Sequence, residues 1–396
     1  MTDALEFYGI CICMIILTIF FLSTPYCVFS SHRPITHQTP AAVHGLLHSP
    51  TVSTDTLLRS RASANARLSR VFRLSNSLVD PNLAVHAVFL RQCRALLQAA
   101  GCWMHFSGVA LQAVELALLG ITTPFHVFVR AVTLCTVIGG LLDPHTSSAS
   151  NNIDIVMSRI TCLRLLSRNP EPIPEHLLAV LNASLRRLLP DIEKYPNPLD
   201  FVIPVCAALW RVVAVTIAHV HEDAAACEAF RDFSANPNIL PVFHAPRRGG
   251  TSPSVENYIN ESLRLHPPIR HITRHIFKPS MLTPFLPGIL ATRIPPRINT
   301  EFADIESAQR SAFRSSGSPP EAYDAARFLH SPRVSDVLAF GHGPLKCTAA
   351  NWAPTAAAVI VGAILNRVNG VTYQIVRGGR VGGREGWDGW MVRKLA

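Results

Sequence analysis

The chain has 396 residues, 48% of them hydrophobic and only 16% charged, with a formal net charge of +10. That composition excludes intrinsic disorder and supplies a large core, some of which could face lipid. The basic excess fits a solvated surface, anionic lipid or an acidic protein partner, whereas nucleic acid is disfavoured because no compact Lys/Arg cluster or reader motif is present.

Residues 7–29 (FYGICICMIILTIFFLSTPYCVF) are uncharged and overwhelmingly apolar. At ~1.5 Å per residue the run reaches roughly 34 Å, enough for a hydrocarbon core of ~30 Å. The segment before it carries Asp3 and Glu6 and no Lys or Arg, unlike a cleaved signal peptide. The first basic residues, Arg33, Arg59, Arg61 and Arg67, all follow the run. The reading is a single-pass anchor over residues 1–30 with the rest of the chain cytosolic. Residues 31–60 are rich in Ser, Thr, Pro and His without a helical period and read as a linker.

Helical spacing of apolar residues then predicts helices over Asn82–Ala99, Gly108–Ile121, Phe125–Leu142, Ile153–Arg168 and Pro174–Leu189. His126 and Arg130 make Phe125–Leu142 a buried helix and not a second span. A long apolar helix is expected over Phe201–Val220, with Pro204 in its first turn, where the missing N–H costs little. Farther on, IRHITRHIF, ILATRI, VTYQIV and WMVRKL are strand-like. The fold class is mostly α (α+β), with residues 61–396 as one domain. Ten scattered cysteines, none in a CxxC pair, exclude a disulfide scaffold and fit a reducing compartment.

Three segments carry chemistry. In NYINESLRLHPP, Ser252 is the expected N-cap with Pro253 after it, and Pro267-Pro268 ends the helix. Glu261 and Arg264, three apart, share a face of that helix. The second segment is Ala326-Arg327-Phe328. The third, AFGHGPLKCTAANWA, places glycines in a turn before Cys347, with a helix expected from Thr348 to about Leu365. A cysteine at a helix N-terminus has its thiolate favoured by the free amides, and an anionic sulfur suits ferric haem.

Taken in order, E-x-x-R, the Arg327 meander and F-G-x-G-x-x-x-C resemble the cytochrome P-450 superfamily. The resemblance implies a helical haem domain with small β-sheets behind an N-terminal transmembrane anchor, and haem b held through Cys347. Glu261, Arg264 and Arg327 match the family's buried ion network, and Arg274 matches a haem-propionate partner. HAVFLRQCRALL matches the helix that crosses the haem edge. The resemblance also implies a monooxygenase that oxidises an apolar small molecule. Its electrons would come from an NADPH-dependent flavoprotein reductase, at the endoplasmic reticulum membrane. The phrasing of SPRVSDVLAFGHGPLKC and IPVCAALWRVV is similar to a fungal microsomal branch, many of whose members serve secondary metabolism (terpenoid or polyketide).

The chain also departs from that pattern. Leu345 stands where Arg or His usually meets a propionate, leaving His342 or Lys346 to substitute. Thr348 follows the cysteine where an apolar residue is usual, and Pro354 predicts a kink or an early end in the following helix. Alignment on Pro204 and Trp210 puts Ala207 and Ala208 where an acid–alcohol pair usually delivers protons, and neither methyl can relay one. The stretch between the anchor and His86 is too short for the family's full N-terminal sheet. These departures leave a catalytically degenerate haem-binding relative as the alternative function.

Overall fold

The structure, a computed structural model, describes residues 34–118, 120–142, 150–238, 240–245, 252–278, 297–313, 318–330, 337–368, 370–383 and 385–395. The expected anchor (7–29) and the strand-like ILATRI lie outside those residues. In chain order the elements begin β1 (35–37), α1 (40–47), α2 (54–64), α3 (66–72), α4 (83–99), α5 (103–117), β2 (122–124) and α6 (125–137). They continue α7 (150–166), α8 (175–188), α9 (199–206), α10 (209–220), α11 (224–235), α12 (240–244) and α13 (255–265). The last are β3 (271–278), β4 (297–304), α14 (305–312), α15 (327–330), α16 (353–367), β5 (373–376) and β6 (391–394). Two three-stranded sheets, β1-β4-β3 and β2-β6-β5, flank this helical body. The mostly α fold with small sheets is as expected.

The core forms around α16, which is buried on every side from Thr355 to Leu365 and packs against α5, α10, α11 and α13. A helix this apolar has no solvent stripe and belongs at the centre of a large core. Gly362 allows its closest approach, because a Cβ there would lie 2.3 Å from the Phe230 carbonyl oxygen of α11. The apolar helical runs Phe125–Leu142 and Leu199–Val220 are long and apolar enough to cross a membrane, yet 78% of an 18-residue apolar window in each is buried within the protein. The buried-helix reading of Phe125–Leu142 fits that packing.

Several expectations are corrected. The presumed linker 31–60 carries β1, α1 and most of α2. Thr39 and Ser53 cap the two helices, and Val43, Leu47, Leu57 and Leu58 are buried beneath them. Small polar residues there are capping and turn residues, which composition alone mistakes for a linker. Helix α5 starts at Trp103, five residues before the predicted Gly108, because Phe106 and Ser107 are buried and hold Gly108 inside a helix. The cap of α13 is Ser254, whose hydroxyl accepts from Asn257 N–H, and not Ser252.

The long helix 201–220 is two helices. Pro204 sits inside α9 and not in its first turn. Lacking an N–H, it releases the Asp200 carbonyl, which accepts Asn76 Nδ2 at 2.7 Å. The Asp200 carboxylate in turn accepts the Ser75 N–H at 2.9 Å and its hydroxyl at 2.6 Å. The helix then breaks at Ala207-Ala208, and the Ala207 carbonyl accepts Arg211 Nε at 3.2 Å.

Candidate functional site

Helix α13 presents Glu261 and Arg264 three residues apart, and both side chains have no exposed surface. Arg264 grips Glu261 with two hydrogen bonds, Nε to Oε2 at 2.6 Å and Nη2 to Oε1 at 2.8 Å. Its Nη1 also donates to the Pro320 carbonyl at 2.8 Å. Arg327, at the start of α15 and equally buried, lies 3.5 Å from Glu261 Oε1. It holds the Ser318 and Pro319 carbonyls, each at 3.1 Å. The Asp324 N–H adds a bond to Glu261 Oε1 at 2.9 Å. The three residues singled out in the sequence therefore meet as one buried network that pins 318–324 against α13. Removing one member of such a network leaves an uncompensated charge and costs about 3–5 kcal/mol.

The cysteine segment is a run of tight turns. Gly341 and Gly343 both have φ of +73°, a conformation glycine adopts without penalty. A Cβ on Gly343 would lie 2.4 Å from the His48 Cβ, so the turn also needs glycine for close approach. The Cys347 N–H closes the loop onto the Phe340 carbonyl at 2.9 Å. Helix α16 begins only at Ala353, because 348–352 is turn, so Cys347 does not cap a helix as expected. Pro354 falls in the first turn of α16, where it neither kinks nor ends the helix.

Cys347 is reachable by solvent yet closely surrounded by protein atoms, and burial pushes its thiol pKa up. The Ala349 N–H and the Lys346 ammonium oppose that shift. Lys346 is itself exposed. His342 turns toward α1, stacked on His44 with ring centroids 4.3 Å apart and tilted against His48 at 6.0 Å.

Beside this loop lies a group of buried cations. Ile272, two residues before Arg274 on β3, lies 3.8 Å from where a Gly341 Cβ would stand. Arg274 is 5% exposed, and its Nε is buried with no hydrogen-bond partner among the described residues. Glu301 is its direct partner across the β3–β4 pair, yet that carboxylate bonds His37 at 2.9 Å and forms no ion pair with Arg274 among the described residues. Arg61 of α2 is also mostly buried and donates to the Ser77 carbonyl and hydroxyl. Ser77 Oγ meets His86 Nδ1 of α4 at 2.6 Å. Burial pulls the pKa of Arg61 down to about 10, with help from the charge of Arg274, and burial pulls Arg274 down to about 10 as well.

Two guanidiniums buried close enough to repel each other persist where an anion neutralises them. The donor set of Arg61 and Arg274 beside a reachable cysteine fits a flat group that carries carboxylates, as haem b does. Sequence reasoning found Arg274 but gave Arg61 no role. Arg61 lies in LRSRASAN, a segment without a motif, and only the packing of α2 on β3 brings it there. Ala207 and Ala208 stand at the break between α9 and α10, both half-buried.

No protein-family model and no curated protein matches the sequence. Solved structures do match. CYP175A1 from Thermus thermophilus has a TM-score of 0.57 at 16% identity, over 91% of this chain and 89% of that one. Cytochrome P450 CYP109Q5 from Chondromyces apiculatus has a TM-score of 0.52 at 16% identity, over 94% and 95%. P450BioI, solved in complex with hexadec-9Z-enoic acid ligated acyl carrier protein, has 0.52 at 15% identity, over 94% and 99%. The chain has the cytochrome P450 fold.

Proposed function

We propose that this protein is a haem-thiolate monooxygenase that oxidises an apolar small molecule. The observation that carries the reading is the reachable Cys347 beside the buried Arg274, which no carboxylate neutralises among the described residues. Haem b, when bound through Cys347, supplies dioxygen activation and transfer of one oxygen atom to substrate. The protein's own groups hold and tune it. The Cys347 thiol gives up its proton on binding metal, aided by the Ala349 N–H and Lys346. Arg61 and Arg274 would take the carboxylates. Glu261, Arg264 and Arg327 fix the segment leading into the cysteine loop. His342 and Lys346 are secondary candidates for a carboxylate contact, and His342 would have to leave its stack on His44 to make one.

The remaining parts of the reading rest on the sequence resemblance. They are a fungal microsomal setting in secondary metabolism, an anchor over residues 7–29 in the endoplasmic reticulum membrane with its lipid, a cytosolic domain, and electrons from an NADPH-dependent flavoprotein reductase. The test is turnover of an apolar terpenoid or polyketide panel by the haem-loaded protein with reductase, NADPH and isotopically labelled dioxygen. One labelled oxygen atom in the product is the expected result.

A second reading, a haem-binding relative without oxygenase activity, is favoured by Ala207 and Ala208. Their methyls offer no proton, and the Ala207 carbonyl freed by the break is occupied by Arg211. Haem binding with no labelled product from any substrate would select it.

A further inference from the structure

Trp352 stands five residues after Cys347, at the N-cap of α16. A short turn joins the two, through bonds from Ala350 N–H to the Cys347 carbonyl at 3.2 Å and from Trp352 N–H to the Ala349 carbonyl at 3.0 Å. The indole is 8% exposed, and its Nε1 is buried without a hydrogen-bond partner among the described residues. It stacks on Trp103 of α5, with ring centroids 5.8 Å apart and planes within 26°. Phe106 closes the group edge-on to both rings, 5.5 Å from Trp352 and 5.7 Å from Trp103. Trp103 is half-buried and lies between exposed Cys102 and Met104, the latter 47% exposed. A line of oxidisable side chains thus runs from the cysteine loop to the surface.

We propose that Trp352 and Trp103 form a relay that carries oxidising equivalents from the haem site to the surface at Cys102-Trp103-Met104. The proposal rests on the haem-thiolate reading. It also answers a need created by Ala207 and Ala208: without a proton relay, oxidant formed at the site goes unspent on substrate.

One hydrogen peroxide would draw two electrons through the bound haem group and, with two protons from water, end as two molecules of water, so the relay runs twice per peroxide, one electron at a time. Trp352 gives one electron to that oxidised group and becomes a radical cation. Its N–H has no acceptor among the described residues, so the proton stays and the cation remains strongly oxidising. Trp103 then gives one electron to Trp352 and, being half-exposed, releases its own Nε1 proton to water. A soluble thiol restores Trp103 by giving up a hydrogen atom, and two thiyl radicals couple to a disulfide. Phenylalanine at either position is too hard to oxidise to take part, which makes Trp→Phe a test of redox role with ring packing largely kept.

The test uses the full chain loaded with haem, its Soret band recorded first, then pulsed with hydrogen peroxide without substrate. The readouts are the frozen-solution radical spectrum and oxidised residues mapped by mass spectrometry. In the wild type an indolyl radical and oxygen addition at Trp103, Cys102 and Met104 are expected. In Trp352→Phe the radical and those adducts are lost and haem bleaching is faster. In Trp103→Phe the adducts at Cys102 and Met104 are lost while a signal at Trp352 persists. Thermal unfolding of each variant separates packing from redox role. If haem binds but adducts are the same in Trp352→Phe, or arise equally in haem-free protein, the relay is wrong and the haem reading stands. If no Soret band forms on loading, the haem reading fails and the relay falls with it.

Discussion

At the scale of single residues, Arg274 is the informative side chain because it contradicts ordinary folding economy. A carboxylate lies opposite it on β4, and the fold spends that carboxylate on His37. Arg274→Met keeps a side chain of similar reach and removes a buried charge that no carboxylate neutralises among the described residues. The haem-free protein is expected to hold or gain stability, since burying an unpaired charge is unfavourable. Haem affinity is expected to fall by roughly tenfold to a hundredfold, the loss of a charge-assisted contact of about 1.5–3 kcal/mol. Opposite changes in the thermal midpoint of haem-free protein and in haem retention check this. Equal losses in both would mean that Arg274 is only structural. His342, also offered in the sequence for this task, is engaged with His44. No sequence pattern announces a stack between a helix and a distant turn.

Among the elements, the break between α9 and α10 bears most on activity. It was invisible in the sequence because LDFVIPVCAALWRVV has the hydropathy of one uninterrupted helix. Hydropathy does not register the cause: Asn76, distant in sequence, takes the carbonyl that Pro204 frees, and Arg211, within the segment, takes the Ala207 carbonyl. What was legible follows the same logic. Glu261 and Arg264 could be placed on one face of α13 by spacing alone, and β3, β5 and β6 by alternation. Arg61 and the late start of α16 required packing across distant segments. The double substitution Ala207→Glu with Ala208→Thr is expected to raise the share of NADPH that ends in product over peroxide. A positioned acid–base group contributes ~10²–10⁴-fold to a proton transfer. Peroxide release measured against NADPH consumed checks it. Tight coupling already in the wild type would contradict the assignment of these positions.

For the molecule as a whole, the seam between α10 and α13 sets its tolerance of acid. His219 and His266 share a hydrogen bond at 3.2 Å between their Nε2 atoms, and His219 stacks on Tyr323 at 4.1 Å. Burial first, and neighbouring cations second, lower His219 to about 4 and His266 to about 3. Both folded values lie below the ~6.5 of an unfolded histidine, so the unfolded chain takes up protons first as the pH drops. Stability is therefore intact above ~6.5 and falls as the pH drops toward 4, by up to ~1.4 kcal/mol per pH unit for each imidazole. Denaturant midpoints at pH 7 and pH 5 measure it. His219→Gln with His266→Gln is expected to flatten the difference, and an unchanged difference would place the acid sensitivity elsewhere.

The whole account stands on Cys347 as the iron ligand. The reduced carbon-monoxide difference spectrum of haem-loaded protein reads that ligand, because a thiolate opposite carbon monoxide moves the Soret band far to the red of a histidine-ligated haem. The wild type is expected to show the red-shifted band and Cys347→Ser to lose it. A wild type that loads haem yet lacks the band, or a Cys347→Ser protein that keeps it, would contradict the assignment.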